Sequence, residues 1–185
     1  MPAYHEELLA TADRLLARRA GQRGKLQGAR IRRSVSTSYY ALFHFLLDEI
    51  GQRIVGAHND LRRRRRILAR TISHRGLRTA LDKIRGSTVD ASVEDFLRPA
   101  GLQAGTVTPP SFAQDLARAF ADAQAKRHDA DYDLNKPISE VDARLLHARV
   151  KRVIATWSTA NGTADRDFKQ ALCVLFLLKG TLRAE

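Results

Sequence analysis

Apolar side chains recur at three- and four-residue steps along almost the whole of this 185-residue chain, and no run alternates apolar with polar long enough to form a strand. A helix sets residues three and four apart on one face, so this spacing leaves helix-on-helix packing as the way to bury the apolar surface. With 44% hydrophobic residues and no internal repeat, residues 1–185 are expected to form one domain. The expected class is all-α, an up-and-down helical bundle with an appended C-terminal helix over residues 163–185.

Leu8, Leu9, Ala12, Leu15 and Leu16 mark a first helix that ends near Gly21 and Gly24. The second, from about Arg30 to Gln52, has the broadest stripe: Val35, Tyr39, Leu42, Phe43, Leu46 and Ile50. From Asn59 or Asp60 to Gly86 the pattern reads as one kinked helix or two short ones, interrupted at Gly76. Residues 87–110 lack sustained periodicity and hold Pro99, Gly101, Gly105, Pro109 and Pro110, which makes them a long connection with one helical turn at Val93 to Leu97. Ser111 is the expected cap of a fourth helix carrying Phe112, Leu116, Ala119, Phe120 and Ala123 inward. Ser139 and Asp142 form a capping pair for a fifth helix, with Val141, Leu145, Ala148, Ile154 and Trp157 assigned to its inner side. A sixth, from about Ala164 to Leu182, is expected to bury Phe168, Leu172, Leu175 and Leu178.

The charge is large and uneven. Thirty-two Lys and Arg stand against 20 Asp and Glu, a formal net charge of +12, and 25 of the 32 are Arg. Residues 1–85 hold 19 basic and 7 acidic side chains, whereas residues 86–185 hold 13 of each, so the surplus lies in the first half. A polyanionic partner fits that surplus, and its densest point is Arg62, Arg63, Arg64, Arg65 and Arg66. Five consecutive positions exceed one helical turn, so they cannot share a face; they are phosphate contacts for RNA or DNA, a patch for an acidic protein, or a solvated helix surface. One cysteine, Cys173 in an apolar run, excludes an intramolecular disulfide and reads as a buried core residue. Acidic residues follow the N-terminal Met where a signal peptide needs positive charge, and the longest apolar run has eight residues, so neither secretion nor a membrane span is expected and the location is read as cytoplasmic.

Two segments stand out together: RRSVSTSYYALFHFLLDEI at Arg32 to Ile50 and AKRHDADYDLN at Ala125 to Asn135. The first, with Arg33, Ser34, Ser36, Tyr39, Tyr40, Ala41, Phe43 and His44, resembles the second helix of HEPN (higher eukaryotes and prokaryotes nucleotide-binding) domains. The second, through Arg127, Ala130, Asp131, Tyr132 and Asp133, resembles the Arg-x-x-Ala-Asp-Tyr-Asp signature of a small prokaryotic HEPN subfamily. The resemblance covers residues 5–160. It implies an antiparallel helical bundle, a homodimer with a polar cleft between protomers, and RNA or a nucleotide as ligand. It also implies a metal-independent endoribonuclease in toxin–antitoxin or phage-defence systems, with an antitoxin or nucleotidyltransferase partner and no cofactor. In that chemistry the ribose 2′-OH is the nucleophile, a His moves protons and an Arg stabilises the phosphorane.

The family's catalytic signature is Arg, four to six residues, then His. Counted from Arg127, that His would stand at position 132, 133 or 134, where this chain has Tyr132, Asp133 and Leu134; His128 adjoins the Arg instead. Two readings follow. In the first, Arg127, His128, Asp131 and Tyr132 line a catalytic cleft, His128 replaces the missing histidine, and Ser36, Tyr40 and His44 look into the same cleft from the second helix, whose start offers Arg33 to the strand. In the second, Asp131 pairs with Arg127 or with an Arg at the start of the second helix, Tyr132 packs and hydrogen-bonds, and the protein is a non-catalytic dimer that binds a nucleotide or another protein. No metal-ligand motif, phosphate loop or nucleophile elbow occurs in the sequence.

Overall fold

The computed structural model describes residues 3–18, 26–98, 105–180 and 182. Among these residues there are eight α-helices, two short 3-10 turns and no strand, so the chain is all-α. The helices are α1 (Tyr4–Leu16), α2 (Gly28–Val55), α3 (Arg62–Ala69), α4 (His74–Asp82), α5 (Glu94–Leu97), α6 (Ser111–Tyr132), α7 (Glu140–Thr159) and α8 (Thr163–Leu177). No helix among the described residues is long and apolar enough to cross a membrane. The expected first-helix stop at Gly21 and Gly24, and Pro99 and Gly101, lie outside the described residues.

The chain divides into two compact units, Met1–Phe45 with Ala119–Ala155, and Leu46–Arg118 with Thr156–Glu185. In the first, α1 runs antiparallel to α2 and to α7, and α2 runs antiparallel to α6. Tyr4 meets His44 while Ala17 meets Arg30; Ser36 meets Asp131 while Tyr40 meets Arg127; Leu16 meets Arg144 while Asp13 meets His147 and Lys151. Its core is Ala12, Leu16, Ile31, Val35, Tyr39 and Leu42 against Phe120, Ala123, Ala143, Leu146, Val150 and Val153. In the second, α8 packs on α4 and α5, and Leu77, Leu81, Leu97, Phe112, Trp157, Phe168, Leu172 and Phe176 are buried. Gly180, at φ +72°, returns the chain so close to α4 that a Cβ there would lie 2.9 Å from the Ala80 backbone.

Cations from other elements close the open ends of several helices. The last carbonyls of a helix lack partners and carry the negative end of its dipole. Arg30 and Arg144 donate to the end of α1, at Ala17 O (2.7 Å) and Leu16 O (2.5 Å). Arg65 donates to Gly56 O (2.6 Å) and His58 O (2.9 Å) just beyond α2. Lys169, fully buried, donates to Trp157 O (2.6 Å) and Ala160 O at the end of α7, with its ammonium 5.3 and 5.2 Å from the Phe112 and Trp157 rings. Burial pushes that ammonium below the usual lysine range, and Arg53 adds to the push.

Four expectations change. The break between α3 and α4 falls at residues 70–73, not at Gly76; the Ser73 hydroxyl accepts the Gly76 amide at 3.0 Å and caps α4, so Gly76 lies inside its first turn. Ser111 is the first helical residue of α6, whose opening amides reach back to Pro110 O. On α7 the buried face is Ala143, Leu146, His147, Val150, Val153, Ile154 and Trp157, whereas Val141, Leu145 and Ala148 are exposed. Leu178 falls past the end of α8 and is exposed. The turn foreseen at Val93 to Leu97 is present as a 3-10 turn (Ala91–Val93) running into α5.

Candidate functional site

The signature segment forms the last two turns of α6, and α2 lies antiparallel beside it. Arg32, Ser36 and Tyr40 stand at four-residue steps on α2 and meet it in order. The Arg32 guanidinium donates from Nη1 to Asp129 O (3.0 Å), Ala130 O (3.2 Å) and Asp133 O (2.9 Å), and from Nη2 to Leu134 O (3.1 Å) and Lys136 O (2.6 Å). One side chain thus closes the whole C-terminus of α6. The Ser36 hydroxyl donates to Asp131 Oδ1, and Asp131 Oδ2 lies 2.6 Å from Arg127 Nε. Arg127 Nη2 donates to Tyr40 Oη (2.8 Å) and Tyr132 Oη (3.3 Å), and its guanidinium carbon is 5.5 and 5.1 Å from those two ring centroids. Burial works against the guanidinium charge, but Tyr40, Asp131 and Tyr132 outweigh it and hold Arg127 above the ordinary arginine value.

This geometry limits what Arg127 can do. An arginine grips a phosphate bidentately through two parallel N–H groups, on its Nε and Nη edge or across its two Nη groups. Here Nε is buried and faces Asp131 Oδ2 as an ion pair without completing a hydrogen bond, and the two tyrosine hydroxyls accept from Nη2, all within the same chain. His128 points away from that cluster's centre to the surface, with its ring 5.1 Å from Tyr132, itself 64% exposed. The structure therefore brings together Ser36, Tyr40, Arg127, Asp131 and Tyr132, with His128 at the margin. It does not bring in His44 or Arg33. Each four-residue step turns a helix face by about 40°, so by His44 the row has rotated away from Ser36; His44 packs edge-on against Tyr4 and Phe43. Burial, with His5 nearby, lowers its imidazole. Arg33 is exposed, one position off the row that Arg32 occupies.

Arg62, Arg63, Arg64 and Arg66 on α3 are exposed and have no acidic partner among the described residues; Arg65 is half-buried on its carbonyls. Arg32 is the residue that sequence reasoning passed over. Its spacing to Ser36 and Tyr40 was the available signal.

A second polar chain lies inside the same unit. His147 Nε2 is 2.9 Å from Asp13 Oδ1, and His147 Nδ1 is 3.0 Å from Ser38 Oγ. Serine, histidine and aspartate in line suggest a nucleophile, but Ser38 is fully buried and its oxygen also sits 2.8 Å from Ser34 O, so no substrate reaches it. Cys173 is equally closed off, its thiol pushed up to about 12 by burial. No cluster of three or more His, Cys, Asp or Glu side chains suited to a metal ion occurs among the described residues.

Fold and site define an all-α bundle protein with an arginine–aspartate–tyrosine cluster closed within one chain and a bare arginine surface on a separate short helix. No family model, curated protein or solved structure matches the chain.

Proposed function

We propose that this is a HEPN-like RNA-binding protein that holds a strand through the exposed arginines of α3. The observation that carries the reading is Arg62, Arg63, Arg64 and Arg66, exposed and without acidic partners among the described residues, in the half of the chain that holds the charge surplus. RNA rather than duplex DNA rests on the resemblance of Arg32 to Ile50 and Ala125 to Asn135 to HEPN segments. Binding without turnover is favoured because Arg127 is already paired with Asp131 and donates to Tyr40 and Tyr132 within the chain.

A second reading, a metal-independent endoribonuclease, draws on one observation: His128 and Tyr132 are exposed side by side next to Arg127. There His128 would move the proton at the 2′-OH or the leaving oxygen and Arg127 would stabilise the phosphorane. Purified protein titrated into a labelled single-stranded RNA and into duplex DNA of equal length tests both readings. Tighter binding to RNA, weakened roughly tenfold or more by joint Arg62, Arg63, Arg64 and Arg66→Ala replacement, is expected. RNA left intact in EDTA at protein excess supports binding alone; cleavage lost in both Arg127→Ala and His128→Ala would replace it with the nuclease. Equal affinity for both polymers would sink the RNA assignment.

A further inference from the structure

The outward side of α3 is all arginine except at one position, Ile67, which is 56% exposed. The helix turns Arg65, Leu68 and Ala69 inward, where each is half-buried. At about 100° per residue, Arg63, Ile67 and Arg70 point most directly away from that side. Arg70 follows the last turn in helical conformation and is exposed, with no acidic partner among the described residues. Arg63 and Arg64, four and three positions before Ile67, and Arg70, three after it, are its neighbours on the helix surface. Single exposed aliphatics are ordinary. One at the crest of a helix whose other exposed residues are all arginine is explained neither by packing nor by helix propensity, in which isoleucine ranks below arginine. The arginines beside it are also ordered. Arg62, Arg66 and Arg70 follow one another at four-residue steps, about 6 Å apart along the axis, a step close to that between successive phosphates of an extended strand. Arg63 and Ile67 form the adjoining row.

We propose that Ile67 is a base-contacting residue of the α3 surface and that Arg70 extends its phosphate contacts, an inference that rests on the RNA-binding reading. Phosphates lie along Arg62, Arg66 and Arg70, and a base turned to the side of that row rests on Ile67. The flat faces of a base are its least polar surface, and covering one with an aliphatic side chain removes apolar area of both from water. In a duplex those faces are covered by neighbouring bases, so the ligand is a segment whose bases are unpaired. Isoleucine suits the task because a β-branched side chain on a helix keeps one strongly preferred χ1, and a side chain already fixed loses little freedom on contact. Arg63 beside it adds a planar guanidinium, which stacks on a base as readily as it pairs with a phosphate.

The test is fluorescence anisotropy of the full chain with two probes of equal length and phosphate number, an oligouridylate and an abasic ribose-phosphate strand, each over a salt series. Wild type is expected to bind both with the same salt slope and to hold the oligouridylate about three- to tenfold tighter. Ile67→Ala should bring the two affinities together and leave the slope and the melting temperature unchanged, because the side chain is exposed. Ile67→Lys should steepen the slope for both strands and still leave them alike, which separates base contact from charge. Arg70→Ala should flatten both slopes by about 0.7 and keep the preference for bases. Equal affinity of wild type for the two strands, or a preference that survives Ile67→Ala, overturns the base contact. A slope unmoved by Arg70→Ala overturns the extension of the phosphate row. Either result, with binding still weakened by joint replacement of Arg62, Arg63, Arg64 and Arg66, leaves the RNA-binding reading standing; a wild type that binds neither strand removes both.

Discussion

His147 shows how a polar residue takes a place on a buried helix face. It stands in the inner row of α7, 5% exposed, with Asp13 at Nε2 and Ser38 at Nδ1. Burial pushes its imidazole below 6.5, and Lys151 helps, against the opposing pull of Asp13. His44 is lowered as well, first by burial and then by His5. A histidine whose folded-state pKa is depressed is protonated more readily when unfolded; its contribution is complete above the unfolded value of about 6.5 and is lost as pH falls through the folded value. The melting temperature should therefore drop between about pH 7 and pH 5. Part of that drop should vanish in His147→Gln and the rest in the double variant with His44→Phe. A wild-type profile flat over this range would contradict the assignment. The Asp13 carboxyl acts lower down: burial works to raise it, yet Lys151 and His147 hold it below 3.8, so its share is lost only at stronger acid. Lys169 poses the opposite question, a charge kept in the core. Lys169→Met preserves length but strips Trp157 O and Ala160 O of their donor. Losing hydrogen bonds from a charged donor costs roughly 2–4 kcal/mol, offset in part by relief of the buried charge. Urea denaturation should show a net loss; an unchanged midpoint would mean that the desolvation of the ammonium cancels what its bonds contribute.

Helix ends in this protein are finished by arginine and lysine from neighbouring elements, and Arg32 is the fullest case. Its five carbonyl bonds hold the end of α6 and the turn that follows. Arg32→Ala should release that end, with faster amide exchange at residues 129–136 and a stability loss of about 2 kcal/mol, since several of the carbonyls can turn to water instead. Arg32→Lys should recover only part, because a point charge cannot fork across five acceptors. Slow exchange preserved in Arg32→Ala would show that Asp131 and Ser36 suffice to hold the end. The helices themselves were legible from spacing: α2, α6 and α8 fall within a few residues of their apolar patterns, and the Ser139 and Asp142 pair caps α7 as read, with the Asp142 amide 3.0 Å from Ser139 Oγ. What spacing could not decide was the inner face of α7. Two apolar rows lie on that helix, and periodicity marks a row without saying which side the core is on. The site was legible to a similar depth. The sequence singled out Arg127, Asp131 and Tyr132 and left open whether Asp131 pairs with Arg127; Arg32 escaped because its four-residue spacing to Ser36 and Tyr40 marks a shared face without marking the distant helix end that it caps.

At the scale of the whole molecule, the question is where a net charge of +12 goes. Arg30, Arg32, Arg65 and Arg144 are spent on carbonyls. Arg53, Arg78, Arg85, Arg98, Arg127 and Arg149 sit against carboxylates. Those groups shape the fold, and a polyanion would have to displace a partner to reach them. Arg62, Arg63, Arg64 and Arg66 carry no such commitment among the described residues; Arg33, Arg70, Arg75, Arg152 and Arg166 share that state, but only these four stand together on one short helix, where they form the densest group able to neutralise phosphates. Each phosphate neutralised on a single strand releases condensed counterions and steepens the dependence of log affinity on log salt by about 0.7. Replacing those four arginines by alanine should therefore flatten the slope for single-stranded RNA by up to about 3. Arg65→Ala, one position away within the same run, should behave differently. It removes the donor to Gly56 O and His58 O, so it should lower the melting temperature and leave the slope within measurement error of wild type at temperatures where the chain stays folded. If instead all five single alanine variants flatten the slope equally and none changes stability, the division of these arginines between fold and surface is wrong, and the whole run acts as one undifferentiated charge.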